Sequence, residues 1–174
     1  ASVVTIRNHL EKIKSRGVMP ELIIVDYADL LKPSGDPRAE KRHQLESLYE
    51  DLRALAQEYK CPVWTASQTN RTALNAEVIT IESISEALSK CFVADFIVSV
   101  SRTMQDREAN TGRLIVNKNR NGPDGMLYDM FMDTSNIQIK VLPHGKSVED
   151  TKEELLKREK ETLREKFKKY KNNT

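Results

Sequence analysis

The chain of 174 residues has no apolar run near the roughly 18 residues that a membrane-spanning helix needs. It has nothing resembling a signal peptide. Only two cysteines are present, Cys61 and Cys91, in apolar context and at no metal-ligand spacing. They read as buried, reduced thiols of a cytosolic protein. Histidines number three, and His9, His43 and His144 fall on helical stretches or a late loop, none beside a nucleophile. That argues against acyl transfer. Six glycines leave little room for a phosphate-cradling loop, and G-x-x-x-x-G-K-[ST] occurs nowhere. A formal net charge of +2 does not by itself call for a nucleic-acid partner. The length suits one domain with a real core, and there is no internal repeat.

What is present is an alternation of apolar runs and helical stripes. Val3, Ile6, Leu10 and Ile13 predict a helix over 2–16, stopped by Gly17 and Pro20. "LIIVD" predicts a strand at 21–26, buried on both faces. Asp36 before Pro37 reads as the N-cap of a helix that carries Leu45, Leu48, Leu52, Leu55 and Tyr59 to about Lys60. "CPVWTASQ", "ADFIVSVS" (94–101) and "RLIVNKNR" (113–120) predict three more strands, with Trp64 in the core. After the turn "NGPDG", "MLYDMFMD" and "NIQIKVL" predict a hairpin. The expected class is α/β, a mostly parallel sheet with antiparallel edge strands. From Ser147 onward the charged stretch carries Leu156, Leu163, Phe167 and Tyr170 on a narrow stripe. It reads as a solvated helical tail, with a basic end from Lys166 as the alternative nucleic-acid contact.

Polar groups cluster where the apolar strands end. Asp26 ends the first, Ser67 and Gln68 the second, and Lys118, Arg120 and Asn121 the fourth. Singly, each has a bland reading: Asp26 as a helix cap, Gln68 as a surface amide, Lys118 as a solvated charge, Arg120 as a turn flank. Tyr27 fits either the core or the site. In one parallel sheet these ends share an edge, where α/β proteins gather ligands. An acid, an amide and two cations suit a nucleoside triphosphate with magnesium.

The segments "LIIVDYADLL", "CPVWTASQTNR", "ADFIVSVSR" and "IVNKNRNGPDG" together resemble, in order, motifs of the DnaB-type replicative DNA helicases. The resemblance spans most of 20–142 and implies the carboxyl-terminal part of a RecA-like ATPase domain at 1–146, followed by the charged tail at 147–174. It implies that Asp26 is the Walker B acid, holding magnesium through water, with Ser67 beside it on the nucleotide. Gln68 would sense the terminal phosphate. Lys118 and Arg120 would reach the neighbouring subunit's site, Arg120 as the arginine finger of a ring, usually of six. The family's DNA-facing loop corresponds to the stretch from Arg71 to about Lys90, so Arg71, Glu86 and Lys90 become candidate DNA contacts. The family's Arg-Glu-Ser-Gly is not kept there; of it this chain has Glu86.

The implied cofactors are ATP and Mg2+ in a longer parent protein, with none bound tightly by these residues alone. The implied partner is single-stranded DNA, in the cytoplasm of a bacterium or a phage host, with no membrane. Because the phosphate cradle and the catalytic glutamate are missing, the expectation is a truncated ATPase domain, inactive alone. Its central strand would be absent, leaving interior strand edges exposed to pairing with another chain. A reading from another class is a non-catalytic RecA-like module that lends Lys118 and Arg120 to a partner ATPase, and a recombinase or KaiC-like relative is a third.

Overall fold

The computed structural model describes residues 1–35, 38–68, 79, 81 and 88–147. The fold divides into two compact units, Ala1–Leu74 with Ile81–Asp95, and Asn75–Thr80 with Phe96–Thr174.

In the first unit, α1 (Val3–Lys14) begins at Ser2, whose hydroxyl accepts from the Thr5 amide while the Thr5 hydroxyl accepts from the Ser2 amide. This reciprocal cap satisfies two amides that the first helical turn leaves without partners. The helix ends in a turn where Gly17 takes φ +80, a left-handed conformation that glycine adopts at no steric cost. Strand β1 (Ile23–Val25) pairs parallel with β2 (Val63–Thr65), Ile24 opposite Trp64. Between them runs α2 (Lys41–Tyr59), which buries Leu45, Leu48, Leu52, Leu55 and Tyr59, the stripe expected from their helical spacing. That stripe packs on Ile23 and Val25 together with Val3 and Leu10 of α1. Tyr59 also donates its hydroxyl to Glu11 at 2.6 Å, tying the end of α2 to α1.

Three expectations change here. The helix starts at Lys41 with Glu40 as its cap; Asp36 and Pro37, the predicted start, lie outside the described residues. Strand β1 is not buried on both faces: Ile23 and Val25 point into the core, while Ile24 is 71% exposed. Trp64, expected in the core, is 51% exposed. The reason is that the buried side chains of α1, α2 and β1 form one cluster on a single face of the pair, so alternation along the strand turns Ile24 and its partner Trp64 outward.

The second unit is an antiparallel sheet in the order β3-β4-β5-β6, formed by Phe96–Ser101, Thr111–Asn119, Met126–Asp133 and Gln138–Ser147. The strand positions follow the sequence reading closely, but the expectation of a mostly parallel sheet does not hold. Parallel neighbours need a crossover of a dozen or more residues. Here β3 reaches β4 through only the short helix α4 (Met104–Glu108), and β4 reaches β5 through one tight turn. The chain is α/β, a small parallel pair plus an antiparallel sheet. Cys61 and Cys91 are buried and form no disulfide. Among the described residues no helix is long and apolar enough to cross a membrane. The charged tail beyond Ser147 lies outside the described residues.

The turn from β3 to β4 hangs on Asp106. Its carboxylate accepts from the Thr103 amide and hydroxyl, both at 2.7 Å, from Thr111 at 3.0 Å and from Arg113 at 2.8 Å. Burial alone would raise its pKa, but the hydrogen bonds from Thr103 and Thr111 and the nearby Arg113 charge outweigh it, and the group falls from 3.8 to about 2. A carboxyl held below its unfolded value contributes stability that is complete above about pH 4 and is lost as pH falls through 2. Asp106→Asn is therefore expected to destabilise the protein by roughly 2 kcal/mol at pH 7. Urea unfolding checks this, and the gap from the unaltered protein should close between about pH 4 and pH 2.

Candidate functional site

The Thr65 hydroxyl ties the carboxyl end of β2 to that of β1. Thr65 Oγ1 donates to the Val25 carbonyl and accepts from the Ala28 amide, both at 2.8 Å. The chain leaving β1 turns at Asp26 and Tyr27 and brings the Ala28 amide back onto Thr65. The peptide between those two residues is cis. Asp26 is exposed at this turn. Tyr27 is half-buried, and its hydroxyl accepts a hydrogen bond from Gln68 Nε2 at 2.9 Å. Parallel pairing thus brings Asp26, Ser67 and Gln68 to neighbouring strand ends, as their positions in the sequence suggested. Tyr27, left open between core and site, belongs to the site.

Just behind lies a polar cluster that sequence reading did not find. Asp29, in the single 3₁₀ turn after β1, collects three donors. Lys90 Nζ reaches both of its carboxylate oxygens at 2.9 Å, Tyr49 Oη donates to Oδ1 at 3.1 Å, and Ser67 Oγ donates to Oδ2 at 3.1 Å. Lys90 Nζ also donates to Ser67 Oγ at 3.2 Å and lies 5.5 Å from the centre of the Tyr49 ring. Burial, and then the Asp29 charge, push the Tyr49 hydroxyl well above its ordinary pKa, so it stays a neutral donor. Lys90, a candidate DNA contact by sequence, is only 5% exposed, with its ammonium turned onto Asp29. It stands on α3 (Leu88–Val93), whose end is held by Arg53 donating to the Val93 carbonyl at 2.6 Å and pairing with Asp95 at 3.3 Å. The signal for Asp29 was an acid in the otherwise apolar "YADLL".

The two cations lie in the other unit. Lys118 is half-buried near the end of β4, and Arg120 is exposed in the turn that follows. That turn is closed by Asn119, which donates to the Pro123 carbonyl at 3.3 Å, and by Gly125, whose amide reaches the Val116 carbonyl at 2.8 Å with φ at +72. The expected sharing of one sheet edge rested on a single parallel sheet; β4 instead runs antiparallel to both of its neighbours, in a sheet that lacks β1 and β2. Arg71 and Glu86 lie outside the described residues. Among the described residues no group of three or more acidic, histidine or cysteine side chains could hold a metal.

The chain belongs to the DnaB-like helicase C terminal domain family, whose model matches residues 1–138. Among individual relatives, it is 31% identical over 107 residues to the DnaB-like replicative helicase of Enterobacteria phage T4, covering 59% of this chain and 22% of that protein. To the replicative DNA helicase DnaB of Mycoplasma genitalium it is 29% identical over 144 residues, covering 76% of this chain and 31% of the relative. A solved structure described as a DnaB-like replicative helicase and its interactions with primase shares the fold, with a TM-score of 0.67 at 21% identity. That match covers 76% of this chain and 34% of the other. The chain therefore spans about a fifth to a third of the length of these relatives.

The Thr65 bridge is open to test. Thr65→Val removes the hydroxyl that links the Val25 carbonyl to the Ala28 amide and leaves that amide, in a fully buried residue, without its acceptor. An unsatisfied buried donor costs about 1–3 kcal/mol. Urea unfolding should show a loss of that size, and Thr65→Ser, which keeps the hydroxyl, should recover most of it.

Proposed function

We propose that this chain is the later part of the ATPase motor of a replicative DNA helicase, which unwinds duplex DNA by moving along one strand. The observation that carries the reading is the exposed Asp26 carboxylate at the end of β1, one strand away from a Gln68 amide held by Tyr27. Membership of the helicase family supports it.

The residues fit magnesium bound with a nucleotide rather than magnesium caged by protein. Magnesium keeps several waters and takes one or two carboxylates beside the phosphates, and a lone exposed acid at a strand end meets that need. When bound, Mg-ATP supplies the phosphate to be cleaved and a counter-charge for it. Asp26, as the Walker B acid, would hold magnesium through water, with Ser67 beside it on the nucleotide. Gln68 presents its amide to the terminal phosphate, its orientation set by Tyr27. Arg120, carried on a short, pinned turn, offers its guanidinium to the site of an adjacent subunit, with Lys118 as its companion. In this reading the protein works as a ring, usually of six, on single-stranded DNA in the cytoplasm. Arg71 and Glu86 are its candidate DNA contacts. The phosphate cradle, absent from these residues, comes from elsewhere in the protein, and the chain alone does not hydrolyse ATP.

The test uses the protein as its gene encodes it, with ATP turnover measured with and without single-stranded DNA. Arg120→Ala should lower turnover by about 1,000-fold or more with nucleotide affinity little changed. Near-normal turnover in that variant removes the finger assignment. Asp26→Ala should lower turnover and raise the magnesium concentration needed to reach it.

A further inference from the structure

Asp29, Tyr49 and Lys90 have no part in that reading, yet the connectivity of their cluster with Ser67 is specific. Ser67 immediately precedes Gln68, and Lys90 lies in α3, on the far side of the stretch that starts after Gln68. The two residues touch at 3.2 Å, and both bond to Asp29, which lies three residues beyond Asp26. Four segments meet at one carboxylate: the turn after β1, the end of β2, α2 through Tyr49, and α3. A buried ion pair is a poor source of stability, since apolar residues of equal volume often do as well. What it supplies is directional geometry, and here that geometry holds Ser67, at the end of β2, against Lys90 of α3.

We propose that Lys90 and Asp29 are positioning residues that form a clamp, fixing Ser67 and hence Gln68 against α3, so that a change at the Asp26–Gln68 end is passed to α3. The coupling role rests on the helicase reading; the clamp itself does not. Lys90 acts inside the unit, through Ser67, and touches neither nucleotide nor DNA.

Breaking only one side leaves a lone buried charge that can unfold the chain, so the central variant is the neutral pair Asp29→Asn with Lys90→Met, alongside each single change. In the 174-residue chain, amide hydrogen exchange across α3 should quicken at least tenfold in the double variant while α2 stays within about twofold of the unaltered protein. Unchanged exchange in α3 overturns the clamp. In the protein as its gene encodes it, the stimulation of ATP turnover by single-stranded DNA should fall about tenfold in each single variant, with the double variant no worse than either. If Lys90→Met weakens DNA binding and lowers its salt dependence while Asp29→Asn does neither, Lys90 is a direct phosphate contact and the proposal fails. If the unaltered protein shows no DNA-stimulated turnover, the helicase reading and the coupling role fall together, whereas the exchange result still decides the clamp.

Discussion

Two parallel strands of three residues each cannot hold themselves together, and everything at the candidate site depends on what does. Isolated strand pairs are marginal in water, and they need a packed partner to persist. That partner is α2. Its stripe of Leu45, Leu48, Leu52 and Leu55 covers Ile23 and Val25, with Leu48 and Leu55 fully buried. The same helix sets the reach between β1 and β2, because it is the crossover that parallel pairing requires. Once α2 is docked, the strand ends lie side by side, and the Thr65 hydroxyl needs only to close the last gap between Val25 and Ala28. Asp26, Tyr27 and Gln68 come together as consequences of that packing, not by attraction to each other.

How much of this was legible depended on whether the signal was local. Helical spacing in α1 and α2 and the apolar runs of β1 to β5 are properties of short windows, and the elements fall where those windows put them. The direction of the sheet is not local. The runs that became β3 and β4 look, as strings, like the buried strands of a parallel sheet; the brevity of the link from Arg102 to Asn110 is what makes them antiparallel. Side-chain orientation in β1 failed for a related reason. "LIIV" is apolar at every position, so the sequence offers no alternation to mark an outer face, yet only Ile23 and Val25 meet the core cluster.

The site divides along the same line. Asp26, Ser67 and Gln68 were legible because strand ends can be read from sequence and parallel pairing puts those ends side by side. Asp29 and Tyr49 were not, since each finds its partners across tens of residues: Tyr49 meets Asp29 from α2, and Lys90 meets it from α3. Lys90 shows the limit most clearly. A lysine is ordinarily a surface cation, and only a tertiary carboxylate makes the burial of Lys90 tolerable. Nothing in the window around Lys90 announces that carboxylate.

The placement of that charge bears on how the unit can move. Apolar contacts such as those beneath α2 are nondirectional and tolerate small slips, whereas a carboxylate holding three donors accepts few arrangements. The leucine stripe keeps the unit folded; the Asp29 cluster ties Ser67, Tyr49 and α3 to one another within hydrogen-bonding tolerance. A shift of Ser67 by much more than a few tenths of an ångström must either break its bonds to Asp29 and Lys90 or carry α3 along. On the clamp proposed above, a polar knot directly behind an exposed strand end links a displacement of that end to the helix beyond it, which soft packing alone would absorb.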